Sequence, residues 1–290
     1  MTEAHRPTWV DDELFPFESR FIDIDGHRIH YVDEGAGPVL LFLHGNPTWS
    51  FDYRKVIDAL RTEFRCIAVD YPGFGLSAAA PGYRYLPAEH AEVIGGFVDA
   101  LDLRGVTLVA HDWGGPIGLA VAQRRPERFD RLVLTNTWAW PVESLLVQTM
   151  SHVMGSPIGR LLIRQLNLFV NAMIPIGHRL TKPTDDEMNH YRNALGNPAR
   201  REASAVFPRE ITASREFLGE VEAGLPGISG LPALIVWGDA DFAFGDDELR
   251  RWQQILTDHR TVIVDGAGHF VPSDAPEQFG AAIRSWHGSA

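Results

Sequence analysis

Apolar and polar positions follow two different rhythms along this chain. Over residues 20–32 they alternate on either side of Asp25-Gly26, a dipeptide that tolerates the positive φ angles of a tight turn, so the pattern predicts an antiparallel hairpin. The alternation then stops, and short apolar runs rich in Val, Ile and Leu take over at 39–43, 66–69, 106–110, 131–134, 234–237 and 261–264. Runs without a polar face suit strands covered on both sides by helices, as in a parallel sheet, and helical patterns lie between them. The expected fold class is α/β: a mostly parallel sheet that follows an N-terminal antiparallel hairpin.

The rhythm breaks once. From Pro141 to about Gly230 there are helical patterns at 144–154, 159–172, 185–195 and 212–222 but no strand pattern, with Pro157, Pro175, Pro183, Pro198 and Pro208 as separators. This predicts an inserted helical cap over 141–230, carried by a core made of 1–140 and 231–290. A length of 290 residues fits one such core with an insertion.

Composition narrows the function classes. With 45% hydrophobic and 22% charged residues, the chain is an ordinary globular protein rather than a disordered one. A formal charge of −12 argues against nucleic-acid or anionic-membrane partners, whose phosphates require Lys and Arg. The lone cysteine, Cys66, cannot form an intrachain disulfide and sits in an apolar run that predicts a buried thiol. The first twenty residues are acidic where a signal peptide would be basic, and 161–176 contains Arg164, Gln165, Asn167 and Asn171, too polar and short to span a bilayer. A cytoplasmic location is expected.

Candidate chemistry sits at the strand ends. The strand at 106–110 runs into His111-Asp112-Trp113-Gly114-Gly115 and then an Ala- and Gly-rich helix. Small residues at Ala110 and Gly114 flank Asp112 at the spacing of a nucleophile elbow, with Asp where Ser is usual. Asp is also a favoured N-cap, so the assignment leans on two features further along the chain: an acid after a later strand and a histidine after the last one, the order an α/β hydrolase requires. His269 comes after the last strand in the Gly-rich loop Asp265-Gly266-Ala267-Gly268-His269 and is the expected base. Asp239 and Asp241, after the penultimate strand, compete for the acid that orients its imidazole. Upstream, His44-Gly45-Asn46-Pro47 ends another strand and could aim the backbone N–H of Asn46, with that of Trp113, at a developing oxyanion; Asn-Pro is equally a common turn. A carboxylate is already ionised at neutral pH, so Asp112 would attack without a base, and His269 would act only in a second step.

These residues resemble a known family. HGNPTWS at 44–50, DYPGFGLS at 70–77, AHDWGG at 110–115 and GAGHF at 266–270 are similar to the motifs of haloalkane dehalogenases, and the similarity spans the core. The resemblance implies an α/β-hydrolase fold and hydrolysis of a carbon–halide bond through an alkyl ester on Asp112. It also favours Asp241 as the acid, three residues after Gly238, since Asn136 stands where members with an early acid carry Glu. In this family the halide is held by a Trp after the nucleophile and by either an Asn after the HG dipeptide or a cap Trp. The cap region 141–230 contains no Trp, so Trp113 and Asn46 are the implied halide ligands. Their neutral N–H groups suit an anion that must later leave, and no metal or organic cofactor is required. The expected partners are a small apolar halogenated substrate, halide and water.

Two other readings stay open. An epoxide hydrolase shares the HDWG elbow but usually needs two cap tyrosines, and the cap has only Tyr191. A non-catalytic binding protein on the same fold would be expected to have lost the Asp112, Asp241 and His269 set. Phe169, Phe207 and Phe217 are loose candidates for the cap's apolar lining.

Overall fold

The computed structural model describes residues 6–288. The hairpin forms where the alternation places it: β1 (Arg20–Ile24) pairs antiparallel with β2 (His27–Glu34), and Asp25 and Gly26 make the turn at φ values of 48° and 82°. The apolar runs become β3 (Val39–Leu43), β4 (Arg65–Val69), β5 (Val106–His111), β6 (Phe129–Thr135), β7 (Ala233–Gly238) and β8 (His259–Val264). One sheet holds all eight in the order β1-β2-β4-β3-β5-β6-β7-β8, antiparallel as far as β4 and parallel from there on. The order reverses at β3, whose neighbours are β4 and β5, and such a reversal opens a crevice beyond the carboxyl ends of the strands.

Alternate residues of each central strand enter different cores. Leu41 and Leu43 of β3, with Leu108 and Ala110 of β5, pack on one face with Ile94 and Phe97 of one helix and Ile117 of another. Leu40, Phe42 and Val109 pack on the opposite face with Val56, Ile57, Phe279 and Ile283. Burying each such side chain contributes about 1.5–3 kcal/mol, which is why these strands carry no polar face. The helices supplying that cover are α1 (Arg54–Leu60), α2 (Pro87–Ala100) and α3 (Gly114–Arg124), and near the C-terminus α12 (Pro276–His287). Cys66 is fully buried, and desolvation pushes its thiol up to about 12, leaving it unreactive.

Between β6 and β7 lie α4 (Leu145–Gly155), α5 (Pro157–Leu166), α6 (Ile174–Gly177), α7 (Asp185–Ala194), α8 (Arg201–Ala213) and α9 (Arg215–Gly224), with no strand among the described residues there. Local signals set several boundaries. Ser156 caps α5 through its hydroxyl and Pro157 occupies the first turn, where its missing N–H costs nothing. Two expectations need correction. The helix expected over 159–172 is split, because Asn167 takes a left-handed conformation (φ 50°) and the chain resumes as a π-helical turn at Phe169–Met173. The break expected at Pro208 does not occur, and the proline lies inside α8. It removes the donor that the Ser204 carbonyl, four residues back, would have accepted; Asn46 Nδ2 reaches that carbonyl from the core at 3.4 Å. After β7 come α10 (Asp246–Ile255) and, after β8, the short α11 (Val271–Asp274). No described helix is long and apolar enough to cross a membrane.

Candidate active site

Every residue singled out from the motifs sits at or just past the carboxyl end of a parallel strand. Asp112 follows β5 with φ of 50°, a left-handed conformation that costs a non-glycine residue of order 1 kcal/mol and turns its side chain out of the sheet. The turn is braced on both sides: Asp112 N–H donates to the Asn136 carbonyl (3.1 Å), while Gly115 N–H and Thr137 Oγ1 donate to the Asp112 carbonyl (2.9 and 2.6 Å). Gly114 is required by close approach, since a Cβ there would lie 2.2 Å from the Leu43 carbonyl oxygen.

His269 follows β8, and its Nδ1 lies 3.0 Å from Asp241 Oδ2. Asp239 points elsewhere, accepting the Gly266 N–H at 2.7 Å on the surface. The geometry thus separates the two carboxylates that the sequence leaves in competition. Asn136, at the end of β6, donates through Nδ2 to Asp241 Oδ2 (2.8 Å) and to the Gly238 carbonyl (3.0 Å), and its Oδ1 accepts the Gly238 N–H (2.9 Å). This amide therefore binds Asp241 from the position where the resemblance would put an early acid. His111, inside the AHDWGG motif but given no role from the sequence, donates its Nε2–H to the His269 carbonyl at 2.8 Å. It ends β5 beside Asp112, a position too common to mark such a role beforehand.

Burial and charge then set the electrostatics. Asp112 is only 7% exposed, and desolvation raises its carboxyl from the usual 3.8 to about 7, against the opposing pull of His269 and of the Trp113 and Asn46 backbone N–H groups. Those two amides therefore act on the Asp112 oxygens from opposite loops. At His269 burial pulls the imidazole down, but the charge and hydrogen bond of Asp241, helped by Asp112, outweigh it and leave the ring above its ordinary 6.5. His44 stiffens the loop that presents Asn46: its Nδ1–H donates to the Gly45 carbonyl (2.8 Å), its Nε2 accepts the Tyr71 N–H (3.2 Å), and burial holds it neutral at about 4.

Asp112, His269, Asn46 and Trp113 line one cavity of about 210 Å³, otherwise walled mainly by apolar side chains: Trp138, Met150, Met154, Phe169, Met173, Pro208, Ile211, Phe242, Phe244 and Phe270. Of the three cap phenylalanines expected there, only Phe169 is a wall. Phe207 packs on the Trp113 ring (4.9 Å between centroids) and Phe217 is buried in the core. Trp138 meets Trp113 edge-on at 4.7 Å, so the Trp113 indole is clamped between two aromatic side chains. Among the described residues no tyrosine, lysine or arginine lines this cavity, and the hydroxyl of Tyr191 is committed to Asp52 Oδ1 at 2.8 Å. A larger groove, about 520 Å³, lies between α4 and α8 and touches none of Asp112, Asp241 or His269.

An elbow carboxylate, a histidine after the last strand and an acid after the one before it define a hydrolase of the α/β-hydrolase fold, and residues 38–276 match the family model described by that name. Within this class the chain belongs to the haloalkane dehalogenase family. It is 46% identical over 277 residues to haloalkane dehalogenase 2 of Mycobacterium tuberculosis, covering 94% of this chain and 96% of that one. It is also similar, at 31% identity over 92% of its length and 87% of the other's, to a cis-3-alkyl-4-alkyloxetan-2-one decarboxylase of Shewanella oneidensis. Among solved structures, a putative ancestral haloalkane dehalogenase superposes with a TM-score of 0.84 at 29% identity, covering 93% of this chain and 98% of that one. A haloalkane dehalogenase of Agrobacterium tumefaciens gives 0.85 at 26%, with 94% and 96% covered.

Proposed function

We propose that this protein hydrolyses haloalkanes to an alcohol and halide through a covalent ester on Asp112, with residues 141–230 as the cap that closes the cavity. The observation that carries the reading is the buried elbow carboxylate facing an apolar cavity, with His269 and Asp241 paired 3.0 Å apart beside it. A carboxylate oxygen of Asp112 attacks the sp³ carbon, and the carbon–halogen electron pair leaves with the halide. Desolvation makes the carboxylate a stronger nucleophile than it would be in water. The departing ion is received by the Trp113 indole N–H and the Asn46 amide. In the second step His269 takes a proton from water, and the hydroxide attacks the ester carbonyl. The tetrahedral oxyanion is stabilised by the backbone N–H groups of Asn46 and Trp113, and Asp241 stabilises the imidazolium. Collapse returns the Asp112 carboxylate, and the alcohol and a proton leave.

The cavity lining argues against the epoxide reading: an epoxide oxygen would need an O–H donor that no tyrosine supplies there. The same N–H donors could receive the carboxylate released from a strained lactone, the substrate class in the name of the Shewanella relative. The test is therefore a panel of 1,2-dibromoethane, 1-bromobutane, an epoxide and a cis-disubstituted oxetan-2-one. Halide release is expected, lost in Asp112→Ala, with an alkyl adduct on Asp112 trapped in His269→Gln and seen by mass spectrometry. Turnover of the epoxide or the lactone with none of the haloalkanes would overturn the proposal.

A further inference from the structure

Asp274, at the end of α11, is 1% exposed, and its carboxylate is ringed by backbone amides. Oδ1 accepts the N–H groups of Leu180 (2.9 Å) and Thr181 (2.7 Å), and Oδ2 accepts those of Arg179 (2.9 Å) and Gly268 (2.7 Å). Four N–H donors fill the capacity of one carboxylate. Three come from the strap that leaves α6, and the fourth comes from the residue just before His269. The strap also binds that loop directly, for His269 N–H donates to the Gly177 carbonyl at 2.8 Å. The packing leaves no slack: a Cβ at Gly268 would sit 2.0 Å from the Gly177 oxygen. A third tie joins His178 Nε2 to Ser273 Oγ at 2.8 Å. A buried carboxylate is costly unless its oxygens are hydrogen-bonded, and here the four backbone N–H groups meet that condition.

We propose that Asp274 is a positioning residue for the proposed base: it staples the strap 177–181 to the loop 266–269 and so fixes where the His269 imidazole meets water. The inference rests on the two-step reading above. It assigns Asp274 to the hydrolytic step alone, because the first attack uses Asp112, which is carried by β5 and braced by β6.

The test separates the two steps. In Asp274→Asn one oxygen becomes an NH₂ group that faces backbone N–H donors and can accept from none of them. Wild type, Asp274→Asn, Asp274→Ser and His269→Gln are mixed rapidly with 1,2-dibromoethane, following the halide burst for alkylation and the decay of the Asp112 adduct by mass spectrometry for hydrolysis. The expected result in either Asp274 variant is hydrolysis slowed about tenfold or more, with alkylation within about threefold of wild type, so that the adduct accumulates and KM falls with kcat. A merely structural role would lower Tm and the burst amplitude but leave the ratio of the two rates unchanged, and that outcome overturns the proposal. So does failure of both Asp274 variants to fold, which assigns the residue to the fold itself. If His269→Gln forms no adduct on Asp112, the functional reading fails instead.

Discussion

Replacing Asp112 by Asn should abolish turnover and yet stabilise the protein, more so as pH rises. Burial lifts this carboxyl from 3.8 to about 7, which at 1.36 kcal/mol per pH unit corresponds to at most about 4 kcal/mol of unfavourable ionisation. The sign comes from linkage: below about pH 4 the group is protonated in both folded and unfolded chains, so nothing is lost. As pH rises the unfolded chain ionises first, and the penalty on the folded state grows until about pH 7, where it is complete. Asn matches the protonated side chain in shape and tolerates the left-handed backbone, so the strain at φ 50° cancels in the comparison. The amide has one acceptor oxygen for two backbone N–H donors, an offset of about 1 kcal/mol. A net gain of about 1–3 kcal/mol at pH 8 should raise Tm by several degrees. Calorimetry of both proteins at pH 5, 6.5 and 8 measures it. If the gap between the two proteins stays constant or narrows as pH rises, Asp112 is not held against its own ionisation and the reasoning is wrong.

Three further outcomes are expected from the same geometry. Alkylation should fall about tenfold per pH unit below about 7, as Asp112 takes up a proton, and hydrolysis should also fail on the acid side because His269, raised above 6.5, must be neutral to accept one; a stopped-flow halide burst that stays flat from pH 5.5 to 8 rejects the first assignment, and adduct decay that stays flat over the same range rejects the second. Trp113→Phe keeps the packing on Trp138 and Phe207 but removes the indole N–H, so bromide binding should weaken by about 1–3 kcal/mol; an unchanged halide titration would remove Trp113 from the halide site. Asn136→Ala deletes the amide that binds Asp241 and both polar groups of Gly238, so urea unfolding should show a loss of about 1–3 kcal/mol. Equal stability in that variant would mean that water replaces the amide without cost.

The strands were legible because their signals are local. A residue run that must be apolar on both faces advertises itself within five or six positions, and Asp25-Gly26 marks its own turn. The elbow was legible for the same reason, since Ala110, Asp112 and Gly114 lie within five positions of one another. Helix boundaries between β6 and β7 were less so: Pro208 reads as a breaker by propensity, yet its helix continues because packing against Ser151 and Asn46 takes up the carbonyls around it.

The sequence by itself determined the α/β class, the hairpin, the elbow and the placing of Asp112, the Asp239/Asp241 pair and His269 after successive strands, all of which depend on periodicity and turn chemistry over a few residues. Only the tertiary structure decided that Asp241 rather than Asp239 meets His269, that Asn136 and His111 brace the pair, and that Phe169 alone of the three phenylalanines faces the cavity. Such outcomes turn on side-chain directions within a few ångströms between segments up to 158 residues apart. No local pattern encodes a distance of that kind; it appears only when the sheet has brought the strand ends together.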